Sequence, residues 1–519
     1  MNEKLLTLPI GIQSFDTLRE EGYLYVDKTA KLLELVKTSG RCFLSRPRRF
    51  GKSLTVSTLD AMFSGKAELF SGLAAEEWVS GQTNHPSPVL RFDMSMMKSD
   101  SANGLEQTLM ETIDRLALEL QLTLPSKTVE GMFQDILLNL CKRDGKVVVL
   151  IDEYDKPMLD NIGDLEKADA VRYVLRSFYT VLKGCDEYLR FVMLTGISKF
   201  SKTGVFSAMN NLNDISMDTQ YGDIVGYTQR ELEENFADWI DNAAQRMDLG
   251  RVELLKRMKD YYDGFCFDGE NSLYNPFSIM QCLKKGRLSN YWYTSGSPSF
   301  IVTYMKQHDI KSPEEYRHIE VIEDFADAQE IERARPESFL YQSGYLTIER
   351  KEEQALILDY PNREVLDSLS RMYLEHVYHV ESYGALGSQT WKALKGHDIA
   401  KVVEIYNVAL AGIPYEDYAD QRESWYRSLF LMLLRGAGIT ANGEAHTNMG
   451  RPDVIAQFPE QVIVLEFKYA KDSSEVDNKR AEGERQIKEK NYAMPYEGEG
   501  REITTAVIVI DGEKRKAVL

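Results

Sequence analysis

Cys42-Phe-Leu-Ser-Arg-Pro-Arg-Arg-Phe-Gly51-Lys52-Ser53 is the stretch whose reading decides the fold. A short apolar run, Cys42–Ser45, enters a loop, and Gly-Lys-Ser opens a helical pattern over Ser53–Phe63. Each residue type has a task if the loop holds phosphate. Gly51 lets backbone amides approach an anion, and a helix N-terminus adds partial positive charge. Lys52 has the reach for the β- and γ-phosphates of a nucleotide, and the Ser53 hydroxyl can ligate Mg²⁺. The first position of the GxxxxGK[ST] pattern is Arg46 instead of glycine, and Pro47 stiffens the loop. Arg46, Arg48 and Arg49 would then add charge where backbone contact is lost. Residues 41–52 carry five cations and no acid. The competing reading is an ordinary strand–helix turn with a basic surface.

A second stretch argues against that alternative. Lys146–Ile151 is a buried-type strand that ends in Asp152-Glu153. In a parallel sheet this strand end lies beside the phosphate loop, where ligands collect. Asp152 would hold Mg²⁺, and Glu153 would orient and deprotonate the attacking water. Asp155 nearby is also consistent with a merely solvated acidic turn. A third strand, Arg190–Thr195, runs into Gly196-Ile-Ser198, and Thr195 could contact the γ-phosphate or the water. A plain glycine turn after a core strand explains those residues equally well. With Val89–Met94, these strands alternate with helical patterns such as Leu105–Leu120, which predicts βαβ units and a mostly parallel sheet.

The bulk numbers set the class. The chain has 519 residues with ordinary globular composition, 43% hydrophobic and 28% charged. That length suggests about three domains. No apolar run approaches the roughly 20 residues of a membrane span, and the N-terminus has no signal-peptide pattern. Five scattered cysteines with no CxxC pair fit a reduced, cytoplasmic setting. A net charge of −19 argues against coating nucleic acid by overall charge, while leaving room for a local basic groove. His376 and His379 stand three apart in a helical pattern without a third ligand, and read as surface histidines.

The organisation expected is an ATPase core over 1–230, a helical lid and middle region over 231–415, and a small α/β domain over 416–519. The middle region reads as helices at Glu231–Arg246, Val252–Tyr262, Pro276–Lys284, Arg363–His379 and Ile399–Ala411. A β element at Gly344–Tyr360 interrupts them. The last block runs helix (Glu423–Arg435), strand (Asp453–Phe458), strand (Val462–Tyr469), helix (Lys479–Tyr492) and strand (Thr504–Asp511).

That block holds its own chemistry. Asp453 begins one strand, and Glu466-Phe-Lys468 lies on the next. Positions i and i+2 share a face of a strand, so Glu466 and Lys468 point the same way with Phe467 in the core. If the strands pair as a hairpin, Asp453 meets Glu466. Converging carboxylates need a cation, and Mg²⁺ prefers oxygen ligands. Such a metal polarises a phosphate and lowers the pKa of bound water. Lys468 would position water or stabilise developing charge. Glu423, opening the preceding helix, is a further candidate metal-side acid. Gln486, on the following helix, could orient Lys468 or a phosphate. A solvated acid, a strand-edge ion pair and a surface lysine form the bland alternative.

Eight segments in order carry a resemblance. They are Tyr25-Val-Asp-Lys-Thr29, Ser45–Ser53, Leu150–Asp155, Thr195–Ser198, Asn210–Ile215, Tyr262–Phe265, Tyr274–Pro276 and Leu340–Tyr345. Together they resemble the bacterial and archaeal AAA-ATPase-like family. The C-terminal order Glu–Asp–ExK–Gln on helix–strand–strand–helix resembles PD-(D/E)XK nucleases. The resemblance implies ATP and Mg²⁺ as cofactors and Lys52, Ser53 and Asp152 as nucleotide–metal ligands. It also implies a metal-dependent nuclease site at Glu423, Asp453, Glu466, Lys468 and Gln486. Glu444 and Tyr492 fall at positions that family tends to fill. Arg46 in place of the first glycine looks like a family habit. The helices after residue 230 resemble the lid that closes over nucleotide, and no arginine finger is evident. The function expected is an ATP-hydrolysing protein with a nuclease-type domain acting on nucleic acid, DNA first and RNA second. The alternative is a nucleotide-gated signalling or interaction ATPase whose C-terminal domain binds without cutting, with a protein partner on the helical middle region. The apolar stretch Glu381–Gln421 is expected to be a packed connection between the two sites, or else part of a local core.

Overall fold

The computed structural model describes residues 5–199, 212–294, 299–327, 334–380, 383–413, 422–443, 451–458, 460–498 and 500–519. The chain divides into two compact units. One comprises Met1–Tyr304 with His318–Asn362, and the other Met305–Arg317 with Arg363–Leu519.

The first unit is built on five strands. β1 (Arg41–Ser45), β2 (Val89–Asp93), β3 (Val147–Asp152), β4 (Leu189–Gly196) and β5 (Asn213–Asp214) lie in the order β2-β3-β4-β1-β5. Every neighbouring pair is parallel. β3 is buried at all six positions, as a strand covered on both faces must be. The crossover helices follow from sequence pattern. Helix Ala102–Glu119 buries Leu105, Leu109, Ile113 and Ala117, one stripe at four-residue spacing. Its cap Ser101 accepts from the Gly104 amide. Helix Leu165–Gly184 starts on Asp164, which accepts from the Lys167 amide. Its Phe178 stacks on Phe133 of helix Val129–Asp144 at 4.6 Å.

The helices after residue 228 pack with the N-terminal segment. Leu8, Leu24 and Val26 share a core with Leu232, Phe236, Ile240, Leu254, Met258 and Ile279. The pattern over Glu231–Arg246 is two helices, Gln229–Asn235 and Ala237–Arg246, joined at buried Phe236. The first starts on a reciprocal cap, Thr228 with Glu231. Helix Pro276–Lys285 starts on Asn275, which accepts from the Phe277 and Ser278 amides. β6 (Phe265–Cys266) and β7 (Ser272–Leu273) form a hairpin. β8 (Ile319–Val321), β9 (Thr347–Lys351) and β10 (Leu356–Asp359) form a small antiparallel sheet, matching the β element read at Gly344–Tyr360.

The second unit holds β11 (Thr440–Gly443), β12 (Val454–Gln457), β13 (Gln461–Ala470), β14 (Glu502–Asp511) and β15 (Lys516–Val518), in that spatial order. β13 and β14 are parallel, and the other pairs antiparallel. The long helix read at Arg363–His379 is α-helical over Arg363–Met372 and continues as a π-helical turn over Tyr373–Val377. Within the stretch Glu381–Gln421, helices Tyr383–Lys395 and Ile399–Ala411 belong wholly to this unit. Leu394, Val402, Ile405 and Leu410 are buried there, whereas Trp391 is 39% exposed. The burial of four of these five residues within the unit is what the local-core reading of this stretch expects. Among the described residues no helix is long and apolar enough to cross a membrane. All five cysteines are free thiols.

Candidate functional site

The first candidate site lies where β1, β3 and β4 end. Gly51 has φ +98° and Arg49 φ +69°, so the loop turns through left-handed backbone that suits glycine and strains arginine. Helix Lys52–Phe63 then begins with no side chain capping it. Open first-turn amides at a helix N-terminus favour an anion. Lys52 is 6% exposed and donates to the carbonyl oxygens of Arg46 (2.8 Å) and Pro47 (3.0 Å). Burial pulls its pKa down, and Glu153, Asp152 and Asp155 push it back up.

Asp152 is 1% exposed and accepts from the Thr195 hydroxyl at 2.5 Å and from the Glu153 amide at 3.1 Å. Glu153 has φ +50°, an uncommon conformation for a non-glycine residue. Burial raises its pKa, and Lys52 opposes this. A cavity of about 420 Å³ opens against Glu153 and Lys52, while Asp152 lies behind its wall and does not line it. Arg48, Lys52, Ser53 and Glu153 line one part of it, and Ile12, Val26, Tyr227, Phe277 and Met280 are among its other walls. Such a mixture of apolar walls and a few charged groups suits a nucleotide.

Three expected residues are placed differently from their reading. Arg46 does not line the cavity. Its guanidinium turns inward, donating to the carbonyls of Ser45, Ser216 and Gly222 and lying 4.6 Å over the Phe267 ring. An arginine 1% exposed must spend its donors on nearby acceptors, so Arg46 braces the loop and does not reach for phosphate. Thr195 is also fully buried and absent from the cavity wall; its hydroxyl is spent on Asp152. Asp155 is no solvated turn residue. Its Oδ2 accepts from the Ile197 amide, the Ser198 amide and the Ser198 hydroxyl at 2.7–2.9 Å. Gly196 permits this closeness, since a Cβ there would sit 2.6 Å from the Tyr154 ring. The only sequence signal was a third acid following a strand that already ended in two.

The second candidate site is in the second unit. β12 and β13 do form the antiparallel hairpin, with Val454 opposite Leu465. The Phe467 amide donates to Asp453 Oδ2 at 2.8 Å, which ties Asp453 beside Glu466. Phe467 packs into the core against Phe430 at 5.3 Å. Glu466 and Lys468 share the other face, with Lys468 Nζ on Glu466 Oε1 at 2.8 Å. Glu466 is 1% exposed, and its Oε2 is buried with no hydrogen-bond partner. Burial and then Asp453 push its pKa up to about 7, and Lys468 opposes. Burial also lowers Lys468, but its hydrogen bond and charge pairing with Glu466 win, so its pKa is raised.

Glu423 opens helix Glu423–Gly436. Burial raises it, Lys468 lowers it and Asp453 raises it, so it faces the same cluster. Gln486 donates to the Tyr492 hydroxyl at 3.1 Å, and the charges of Glu466, Asp453 and Lys468 act on that tyrosine. Gly483 lets the Gln486 helix lie close on β14, because a Cβ there would meet Val507 at 2.6 Å. Glu444 lies outside the described residues. The sequence reading missed Arg427, one helical turn past Glu423, which donates to Asp453 Oδ1 at 2.6 Å. It also missed Glu314, which pairs with buried Arg435 and feels the charge of Arg427. Nothing in the local sequence around residue 314 points to a partner 121 residues away. A separate group, His318, Glu349 and Asp359, is the one cluster among the described residues with three metal-type ligand atoms within 4.8 Å. It draws nothing from either site.

Comparison with known proteins gives two family matches. Residues 9–206 match the family described as predicted AAA-ATPase, and residues 421–518 match the PD-(D/E)XK nuclease superfamily. Over 524 residues the chain is 32% identical to an uncharacterized protein in the vnfD 5′ region of Azotobacter chroococcum mcd 1, covering 98% of each. Among solved structures, the Aeropyrum pernix ORC1 protein in complex with DNA aligns at 9% identity and TM-score 0.26, over 82% of this chain and 87% of that one. The ORC2 protein of that organism, in ADPNP–ADP complexes, aligns at 11% identity and TM-score 0.28, over 85% and 90%.

Proposed function

The chain belongs to the predicted AAA-ATPase family with a C-terminal PD-(D/E)XK nuclease superfamily domain, and from this we propose that it hydrolyses ATP and carries a metal-dependent nuclease acting on DNA. The observation that carries the first activity is one cavity walled by Lys52, Ser53 and Glu153 as well as by apolar side chains. Lys52 would exchange its loop carbonyls for phosphate oxygens, and the uncapped helix would add its amides. Ser53 and Asp152 would hold the cation. Mg²⁺ supplies charge that offsets the phosphates. Glu153 would orient and deprotonate water, while Thr195 keeps Asp152 aimed.

The nuclease reading is carried by Glu466 Oε2, a buried carboxylate oxygen without a partner. Leaving such an atom unpaired is costly, and a divalent cation between Glu466 and Asp453 would satisfy it. The donor set is all oxygen, which suits Mg²⁺ or Mn²⁺. The cation supplies Lewis-acid polarisation of a phosphodiester. Lys468, already held by Glu466, would place water or meet developing charge, and Gln486 would orient phosphate. RNA is the second substrate to test. Labelled DNA and RNA are incubated with Mg²⁺ or Mn²⁺, with and without ATP. Cleavage by wild type and none by Glu466→Gln is the expected result; intact substrate throughout would overturn the nuclease reading.

One observation favours a second reading, in which the domain binds nucleic acid without cutting. Both Asp453 oxygens are already engaged, Oδ1 by Arg427 and Oδ2 by the Phe467 amide. Retention of labelled DNA without cleavage would select that reading. A nucleotide-gated signalling role, with a protein partner on the helices after residue 230, would follow from it. Work within the cytoplasm fits both readings.

A further inference from the structure

We propose that Arg48 is the arginine that meets the γ-phosphate during hydrolysis, and that it acts on nucleotide bound to its own chain. This rests on the ATP reading above and assigns a task that the sequence left among three arginines. The structure separates them. Arg46 is sealed inside, on three backbone carbonyls. Arg49 also reaches the cavity wall, but it is exposed, with its guanidinium 4.8 Å over Phe277. Arg48 is half-buried and lines the cavity together with Lys52, Ser53 and Glu153.

Three further features fit Arg48 to the task. Its backbone is pinned, because Trp292 Nε1 and Asn275 Nδ2 both donate to its carbonyl, at 3.2 and 3.4 Å. Its guanidinium lies 5.2 Å over the Phe300 ring, a contact that holds the plane while leaving the edge N–H groups able to donate. It shares the cavity wall with both groups that define the reacting end, Lys52 and Glu153. Two cations held close, Arg48 and Lys52, repel each other until a polyanion lies between them. A guanidinium here can take two phosphate oxygens at once. An arginine in this role stabilises the charge of the transferring phosphoryl group and contributes about 10³–10⁵-fold to the rate. In many oligomeric ATPases a neighbouring subunit provides it; here the phosphate loop itself would.

The test compares wild type with Arg48→Gln, Arg48→Lys and Arg49→Ala in the full chain. Calorimetry measures affinity for MgADP alone and for MgADP with aluminium fluoride, which mimics the phosphoryl group in flight. Arg48→Gln is expected to bind MgADP within a few-fold of wild type and to lose at least about 100-fold of the added affinity for the fluoride complex. Hydrolysis should fall in parallel, Arg48→Lys should recover part of both, and Arg49→Ala should lose far less of the fluoride gain than Arg48→Gln. Wild-type activity per molecule should not change across a hundredfold dilution. Thermal melting of each variant separates a misfolded protein from a silenced one. A fluoride complex bound equally by wild type and Arg48→Gln overturns the assignment while sparing the ATP reading. So does activity per molecule that vanishes on dilution, since it demands a second chain. Wild type that binds no nucleotide removes both.

Discussion

Thr195 gives its hydroxyl hydrogen to Oδ1 of Asp152 at 2.5 Å, joining the ends of adjacent strands β4 and β3 in a fully buried position. A hydrogen bond to a carboxylate in such a place contributes about 1.5–3 kcal/mol. Thr195→Val keeps the side-chain shape and deletes the donor. Its expected effect is on the cation: MgATP affinity drops about tenfold or more, while affinity for ATP in excess chelator changes little. Fluorescent-nucleotide titration with and without Mg²⁺ measures both. An equal drop in the two conditions would mean that Thr195 supports the sheet only.

Variants at Lys52 and Glu153 should separate binding from chemistry. Lys52→Ala removes the cation that the loop carbonyls hold in place, and nucleotide binding should become undetectable at micromolar protein. Glu153→Gln keeps size and hydrogen bonding but cannot take a proton. It should bind ATP as tightly as wild type and hydrolyse it at least about 100-fold more slowly. Phosphate release and nucleotide titration on the two variants are the measurements. Unaltered hydrolysis in Glu153→Gln would remove that residue from the mechanism.

In the second unit, Glu466→Gln should abolish divalent-metal binding measured by calorimetry, because a neutral amide replaces the buried acid facing Asp453. Lys468→Ala should leave the metal in place and lower cleavage by about 100-fold or more. Gly483→Ala should weaken cleavage without touching the metal, since its Cβ would press on Val507 and push away the helix that carries Gln486. Metal bound equally by wild type and Glu466→Gln would relocate the site.

Asp367 provides a pH signature. It is 2% exposed, and burial pushes its carboxyl from 3.8 up to about 7 despite Arg363. Below about pH 4 both folded and unfolded chains hold the proton. Between about 4 and 7 the unfolded chain releases it and the folded one keeps it. Stability therefore falls with rising pH by up to about 1.4 kcal/mol per unit, and levels off above 7. Asp367→Asn has no such proton to release. Urea midpoints of the two proteins should converge near pH 4, and the variant should gain on wild type as pH rises to 7. Parallel curves would show that Asp367 ionises normally.

Nucleotide should influence the second unit, because the chain passes between the units at Tyr304–Met305, Arg317–His318 and Asn362–Arg363. DNA affinity or cleavage is expected to differ between ATP, ADP and no nucleotide, and Lys52→Ala should erase the difference. Identical values in every state would mean that the two sites share a chain and nothing more.

The sequence by itself determined most of the elements and singled out the candidate side chains. Strand β3 and the helix after Lys52 were legible because apolar periodicity and the Gly-Lys-Ser turn are local. Glu466 and Lys468 were legible as a pair because alternation along one strand puts them on one face, and their 2.8 Å contact follows from it. Only the tertiary structure decided what lies opposite. That Arg46 braces Ser216 and Gly222 while Arg48 lines the cavity depends on which chain segments close over the loop. Arg427 on Asp453, and Glu314 on Arg435 from 121 residues away, likewise arise from packing of distant helices. So does the return of residues 305–317 to the second unit. A side chain's type and spacing set what it can do; which acceptors and charges desolvation forces upon it is a property of the packed chain, and no short window of sequence contains it.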